Sequence, residues 1–320
     1  MSLPSPLSPA ELRLIDAVRD RRVNVVHLTH NDLDAVGADA IHRRRYDGVF
    51  TLFSSVGKFP AFLERIAALP GKGDLLSITD LGYQDGVEPA LEAARANRWR
   101  VEWRDHHRWK DEEIDAVQAR VALLRIDTTR CGCGIAALDL LPDDPVAREI
   151  AKVVCDYDLW LHQDPRSAVL GQVLQRQRNR TYVRDLLVRG RFTDERVEAE
   201  YSEIREEMAG MIDRSIAHTQ VYGESPRIGF APLYGYPSET AAAIRERLGT
   251  QVEVIVNGEG RFSIRSVAPI SHLVARRFGG GGHPHAAGGD FGFSFIERLG
   301  FTLLKRSRRY RDLVQAIEDL

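Results

Sequence analysis

The chain has 320 residues, 43% hydrophobic and 28% charged, the make-up of a globular protein with room for two domains. Its formal net charge of −2 counts against a protein that coats long nucleic acid, which needs a strong basic excess to displace counterions, and favours a small or short substrate. No run approaches the ~18 apolar residues of a membrane span, and the opening MSLPSPLSPAEL lacks the basic-then-apolar order of a secretory signal. Residues Pro9 to Arg21 then carry Leu12, Ile15 and Val18 at helical spacing. Three apolar runs come next as predicted strands: Val23–Leu28, Leu75–Thr79 and Arg100–Trp103. Between them lie predicted helices, one starting at Asp39–Arg45, one at Pro60–Leu69 and one at Val87–Asn97. Strands alternating with helices predict an α/β fold on a parallel sheet.

Residues Glu195–Ala217 are charged, hold glycine only at Gly210, and predict one long helix. Shorter apolar runs (RIGFAPL, VEVIVN, RFSIRSV), a helix at Ile270–Phe278 and four glycines, Gly279–Gly282, come after it. The expected organisation is a domain over residues 1–190, a connecting helix over 191–222 and a second domain over 223–320. The three cysteines, Cys131, Cys133 and Cys155, are too few for a disulfide framework, and their odd number fits a reducing cytoplasm.

Each predicted strand of the first domain leads into acidic or imidazole-bearing residues. His30, Asp32 and Asp34 come after the first strand, Asp80 after the second, and Asp105-His106-His107 after the third. In a parallel α/β sheet the carboxyl ends of the strands form the ligand-binding rim, so three strand ends bring these groups together. A lone Asp after a strand is more often a helix N-cap. Several such clusters in order along one domain point instead to cations, since crowded carboxylates repel unless a cation neutralises them. Carboxylates and imidazoles without thiolate suit Mn²⁺, Mg²⁺ or Zn²⁺, and the carboxylate majority leans to manganese or magnesium. There are enough ligands for two ions sharing a carboxylate, the usual arrangement for phosphate-ester hydrolysis.

At these residues the sequence resembles the DHH phosphoesterase superfamily, named for the triplet seen here as Asp105-His106-His107. An H-x-D-x-D motif is present at His30–Asp34, a lone Asp closing a strand at Asp80, and a further Asp after an apolar helix at Asp156 or Asp158. The end of the chain is similar to the DHH-associated domain through Gly280-Gly281-Gly282-His283-Pro284-His285-Ala286-Ala287-Gly288. The resemblance covers nearly the whole chain. It implies an N-terminal parallel-sheet domain, a smaller α/β second domain, and an active site in the cleft between them.

The resemblance also implies roles. One metal would be held by His30, Asp32 and Asp80; the second by Asp34, Asp80, His106 and the Asp of the fourth motif, with Asp80 bridging. Asp156 is preferred there because it directly ends the apolar stretch Ile150–Val154, with Asp158 as its rival. Many relatives place the first histidine four residues before the first Asp; Leu28 stands there, so His30 is chosen and His27 is the fallback. A metal-activated water would be the nucleophile, His107 would face the scissile phosphate, and Asp105 would orient the neighbouring histidines.

Four glycines could be a flexible linker. Their place between a helix pattern and His-Pro-His-Ala-Ala-Gly-Gly favours instead a turn whose backbone N–H groups bind an anion, with His283 and, less firmly, His285 as substrate contacts. Arg265 resembles a family position that holds the substrate's phosphate. Cys131-Gly-Cys133 reads as small-residue packing, His42–Arg45 as a solvated helix face, and Trp103, Trp109 and Trp160 as core residues.

The expected activity is a manganese-type, two-metal phosphodiesterase that releases mononucleotides from short oligonucleotides, as nanoRNases and the smaller RecJ-type relatives do. Alternatives are a 3′-phosphoadenosine 5′-phosphate phosphatase, a linear or cyclic dinucleotide phosphodiesterase and, as a non-enzyme, a nucleotide-binding regulatory module. The expected partner is a short oligonucleotide or small nucleotide, with no membrane; a homodimer is left open.

Overall fold

The computed structural model describes residues Leu7–Leu320, so the first part of the MSLPSPLSPAEL segment, residues 1–6, lies outside the described residues. The chain divides into two compact units, Met1–Tyr201 and Ser202–Leu320, and the division falls inside the long predicted helix.

In the first unit the strands are β1 (Val25–Thr29), β2 (Val49–Phe53), β3 (Leu75–Thr79), β4 (Arg100–Asp105) and β5 (Leu123–Ile126). They form a parallel sheet in the order β2-β1-β3-β4-β5. Its helices are α1 (Pro9–Arg19), α2 (Leu33–Arg45), α3 (Phe59–Ala67), α4 (Glu88–Ala96), α5 (Asp111–Gln118), α6 (Gly132–Leu140), α7 (Pro145–Asp158), α8 (Pro165–Val173) and α9 (Arg180–Val188). Helix α10 (Glu195–Ala217) comes next. Strands β2 and β5 and the helices α5, α6, α8 and α9 were not anticipated.

Every residue of β1 and β3 is buried, yet the strands alternate in character. Val26, Leu28, Leu76 and Ile78 belong to the main core with Leu14, Phe59, Leu63 and Leu91 from α1, α3 and α4. The intervening positions are polar. His27 bonds Thr79 (2.8 Å), Thr79 bonds Thr29 (2.9 Å), and Ser77 bonds His42 of α2 (2.8 Å). That polar layer lies directly before His30 and Asp80 in the chain, so the residues leading into the site are held by hydrogen bonds as well as by packing.

Helix α2 packs against α6, α7 and α9. Leu33–His42 is a run of buried residues, which corrects the reading of His42–Arg45 as a solvated face. His42 is stacked on His27 with ring centroids 4.0 Å apart. Arg43 pairs with Asp39 (2.9 Å), and Arg44 donates to Asp144 and to the Val188 carbonyl (2.7 Å). Arg43 thus satisfies the buried Asp39, and Arg44 satisfies a half-buried Asp144 and the end of α9.

The second unit carries β6 (Gln220–Tyr222), β7 (Ile228–Pro232), β8 (Val252–Val256), β9 (Arg261–Ser266), β10 (Gly281–His283) and β11 (Ala286–Asp290). The sheet order is β10-β11-β9-β8-β7-β6, with β7 and β8 parallel and the other pairs antiparallel. Helices α11 (Pro237–Leu248), α12 (Ser271–Arg277), α13 (Phe295–Leu304) and α14 (Tyr310–Glu318) complete it. Its core joins Phe230, Val254, Ile264 and Leu313 with Tyr310, which stacks on Phe230 at 4.3 Å. No helix among the described residues is long and apolar enough to cross a membrane.

Candidate metal centre

Strand β1 ends at Thr29, β3 at Thr79 and β4 at Asp105, and the chain delivers His30, Asp80 and His106 one residue beyond each end. Atoms of His30, Asp32 and Asp80 lie within 4.8 Å of one another, and so do atoms of Asp34, Asp80 and His106. Asp80 is common to both groups. Its backbone φ is +53°, a left-handed conformation that a non-glycine residue rarely holds and that the surrounding structure must enforce.

Asp32 serves two purposes. Its Oδ1 accepts from the Ala35 amide (3.1 Å) as the N-cap of α2, while its Oδ2 meets His30 Nδ1 at 2.7 Å. Burial raises the pKa of Asp32, but the hydrogen bond and charge of His30 outweigh it and bring the pKa down to about 2. Asp34 is buried in the first turn of α2, and both its oxygens accept backbone amides from the start of α6, Gly132 and Cys133 at 2.7 Å each. A side chain at position 132 would put its Cβ 2.8 Å from Asp34 Oδ2, so only glycine fits. These two anchors were not foreseen; the small residues of Cys131–Gly134 were their only trace in the sequence.

The electrostatics call for a cation. Burial and then the charge of Asp32 push Asp34 up to about 7, against the pull of the two amides. Asp80 is driven well above the usual carboxylate range by burial and then by Asp32, Asp34, Asp158 and Asp105. Buried Oδ2 atoms of Asp80 and Asp158 have no hydrogen-bond partner. Carboxylates this crowded, with lone pairs left open and neutral imidazole beside them, form a donor set that fits divalent cations. His106 supplies that imidazole: burial and then the neighbouring His107 lower its pKa to about 4.

At the fourth motif the two candidates, Asp156 and Asp158, are placed differently. Asp156 accepts from the amides of Gln163 (2.8 Å) and Asp164 (3.2 Å) and from Ser167 Oγ (2.5 Å), which ties down the turn after α7. Asp158 instead places Oδ2 3.6 Å from His106 Nδ1, and burial with Asp34, Asp32 and Asp105 raises its pKa well above normal. His30 sits with the ligands, whereas the fallback His27 is buried against Thr79 and His42.

His107 lies beside this group. Its Nδ1 is 2.8 Å from Asp105 Oδ1, and Trp109 Nε1 donates to Asp105 Oδ2 at 2.7 Å. Burial lowers the His107 pKa, but the Asp105 bond and the surrounding carboxylates overcome it and raise the pKa. Asp105 thus orients His107, and Trp109 in turn orients Asp105. Trp103 is core, packed edge-on against Phe59 and Trp109.

No family model matches the chain. No curated protein matches it. Solved structures do. An exopolyphosphatase-related protein from Bacteroides fragilis aligns with a TM-score of 0.56 at 13% identity, over 99% of this chain and 98% of that one. The pGpG-specific phosphodiesterase PggH from Vibrio cholerae aligns at 0.52 and 13%, over 92% of this chain and 100% of that one. RecJ in complex with Mn²⁺ from Thermus thermophilus aligns at 0.55 and 17%, over 98% of this chain and 56% of that one. The chain shares the fold of these three structures.

The glycine run of the second unit is not an open loop. Gly281–His283 forms β10, paired antiparallel with β11. A Cβ on Gly280 would overlap the carbonyl of Gly288, so this glycine serves close backbone approach across the hairpin. Arg265 of β9 pairs in register with Ala286 of β11 and donates to Ser238 Oγ (2.9 Å) and the Ile264 carbonyl (3.1 Å). His285 Nδ1 donates to the Ser266 carbonyl at 3.1 Å.

Two further features were not anticipated. Cys131 and Cys155 form a disulfide, which corrects the reading of the cysteines as unpaired, and Cys133 is free and buried. Arg180 of α9 has no signature in the sequence. It donates to the Asn31 carbonyl (3.2 Å), next to Asp32, and lies over the Phe53 ring at 4.4 Å. Nothing local to Arg180 in the sequence connects it with the first motif, 149 residues earlier.

Proposed function

We propose that this protein is a two-metal phosphodiesterase that hydrolyses short oligonucleotides to mononucleotides, with manganese as the favoured ion and magnesium or zinc as alternatives. The carrying observation is Asp80, a carboxylate shared by two ligand groups, with one oxygen that has no hydrogen-bond partner among the described residues and a pKa raised by burial and then by four other carboxylates. His30, Asp32 and Asp80 would hold one ion; Asp34, Asp80, His106 and Asp158 the other. Bound cations would neutralise phosphate charge and ease deprotonation of an attacking water.

The chain's own residues do the rest. The α6 amides and the α2 cap fix Asp34 and Asp32, and neutral His106 offers a lone pair. His107, whose raised pKa favours the imidazolium, donates a hydrogen bond or proton to the phosphate or leaving oxygen. Asp105 and Trp109 hold it in place. Arg180 adds positive charge beside the first motif. In the second unit we assign a phosphate contact to Arg265 and substrate contacts to Gly280–His283 and His285.

A dinucleotide as substrate is the second reading, supported by the fold shared with a pGpG-specific phosphodiesterase. The regulatory-module alternative is disfavoured because every motif retains a ligand-capable side chain. The test is turnover with manganese on labelled dinucleotides to pentanucleotides, long single strands, cyclic dinucleotides and 3′-phosphoadenosine 5′-phosphate. Activity that fades beyond about five nucleotides is expected; undiminished activity on long strands would refute the short-substrate reading. Asp80→Ala should lose metal binding and turnover together, and near-normal turnover in it would sink the two-metal account.

A further inference from the structure

The Cys131–Cys155 disulfide joins two elements on which the metal centre depends. Cys131 caps α6, and the next two amides, Gly132 and Cys133, are the ones that hold Asp34. Cys155 lies on α7, three residues or about one helical turn before Asp158. One covalent bond therefore links the anchor of one carboxylate to the helix that carries another.

The two cysteines differ in access. Cys131 is fully buried, whereas Cys155 is half-buried and lines a cavity of about 370 Å³ between α6 and α7. Its charged lining residues are Arg130, Arg148 and Lys152, and among the described residues no carboxylate lines it. Ala137, Leu138 and Leu159 supply an apolar wall. Arg148 donates to the Pro142 carbonyl (2.9 Å), and Arg130 has Asp127 at 3.3 Å, so two of the cations are held in place at the cavity. A cationic pocket with a half-buried disulfide cysteine in its lining suits a small thiol that carries negative charge.

We propose that Cys155 is a thiol–disulfide exchange site, entered by small anionic thiols through this cationic cavity, and that opening the bond to Cys131 loosens the metal centre. The incoming thiolate attacks Cys155 Sγ, the bond to Cys131 breaks, and Cys131 leaves as a thiolate that takes a proton from water. A second thiolate then attacks the mixed disulfide. Cys155 is released and protonated, and the two reagent molecules depart joined by their own disulfide, having given two electrons to the protein. Burial of Cys131 fixes the direction of attack. Two unbonded thiols need more room than a bonded pair, so the start of α6 and the end of α7 must move apart. The amides at Asp34 and the carboxylate of Asp158 move with them.

The exchange itself is independent of the metal reading; the loosening rests on it. The full-length chain, oxidised and free of reductant, should expose one thiol on denaturation, that of Cys133, and three after reduction. Reduction is followed by mass tagging with mercaptoethanesulfonate, mercaptoethanol and cysteamine at equal thiolate concentration and low salt. The anionic thiol should react about tenfold faster than the cationic one, with the gap closing at high salt. Lys152→Glu and Arg148→Glu should each erase or invert that order. Three thiols in protein treated with mild oxidant, or equal rates for all three reagents, would overturn the exchange site. Calorimetric titration with Mn²⁺ should show at least about fivefold weaker binding to the reduced protein than to the oxidised one. The Cys131→Ser/Cys155→Ser double variant should match the reduced state. Equal Mn²⁺ affinity in both states would overturn the coupling. No Mn²⁺ binding in either state would overturn the metal reading instead, leaving the reagent order to decide the exchange site.

Discussion

Asp156 and Asp158 stand two residues apart at the end of α7, and their carboxylates serve different ends. Asp156 is saturated by two backbone amides and Ser167, whereas Asp158 leaves Oδ2 without a hydrogen-bond partner, 3.6 Å from His106. Successive even positions on a helix point about 200° apart, so both cannot face one site. Asp158→Ala should lower turnover at least about 100-fold and weaken metal binding while leaving the metal-free protein folded. Asp156→Ala should cost about 2–4 kcal/mol of stability, since it strands two amides and a hydroxyl, and retain metal affinity. Thermal unfolding with and without Mn²⁺ separates the two, and the opposite pattern would restore Asp156 as the ligand.

Metal binding should depend on pH through Asp34. Its folded pKa, about 7, lies above the ordinary carboxylate value, so its proton stabilises the metal-free protein. That contribution is complete below about pH 4 and is lost as pH rises through about 7. Asp32 has the opposite sign: held at about 2, it stabilises the fold above about pH 4 and loses that contribution as pH falls towards 2. Metal-free protein should therefore melt lower at about pH 8 than at about pH 6.5, and saturating Mn²⁺ should remove most of the difference. Calorimetry in buffers of different ionisation enthalpy should detect proton release on Mn²⁺ binding at about pH 6 that fades by about pH 8.

His107 and Asp105 should separate chemistry from binding. His107→Ala should lower kcat by about 10²–10⁴-fold with Mn²⁺ affinity nearly intact. Asp105 is the largest of the groups that raise the His107 pKa, ahead of Asp34 and Asp32, so in Asp105→Asn the pKa falls. The alkaline limb of the pH–rate profile should then move to lower pH. A limb that stays in place would mean that His107 is not the titrating acid.

Much of the first unit was legible because its strands are apolar runs that stop where the ligands begin, as at Leu75–Thr79 followed by Asp80. Strand β2 was missed because only Val49 and Leu52 are buried in it, and β5 because none of its four residues is fully buried. The first turns of α2, before Asp39, hid for the opposite reason: Leu33–His42 are all buried, so Asp34, Asp39 and His42 interrupt the apolar period that marks a helix. The residues that the structure gathers at Asp80 were readable as types and spacings. The choice between Asp156 and Asp158 was not, because it depends on where the turn over Gln163–Ser167 places its donors. The Cys131–Cys155 pair and the Arg180–Asn31 contact are tertiary, with no local signal.

Arg265 is the candidate phosphate contact of the second unit. Its guanidinium spends one bond on Ser238 Oγ and one on the Ile264 carbonyl, and burial, partly offset by Glu239, holds its pKa below the usual arginine value. A guanidinium with five donors keeps others for a phosphate, and its planar fork is already oriented by these two bonds. Arg265→Ala should raise KM by roughly tenfold with little change in Mn²⁺ affinity. Arg265→Lys keeps the charge but not the fork and should recover only part of that loss. Gly280→Ala provides the contrast: its Cβ would overlap the Gly288 carbonyl, so it should cost about 2 kcal/mol or more by forcing β10 away from β11. If Arg265→Ala leaves KM unchanged while Gly280→Ala raises it, recognition lies in the hairpin backbone and not in the guanidinium.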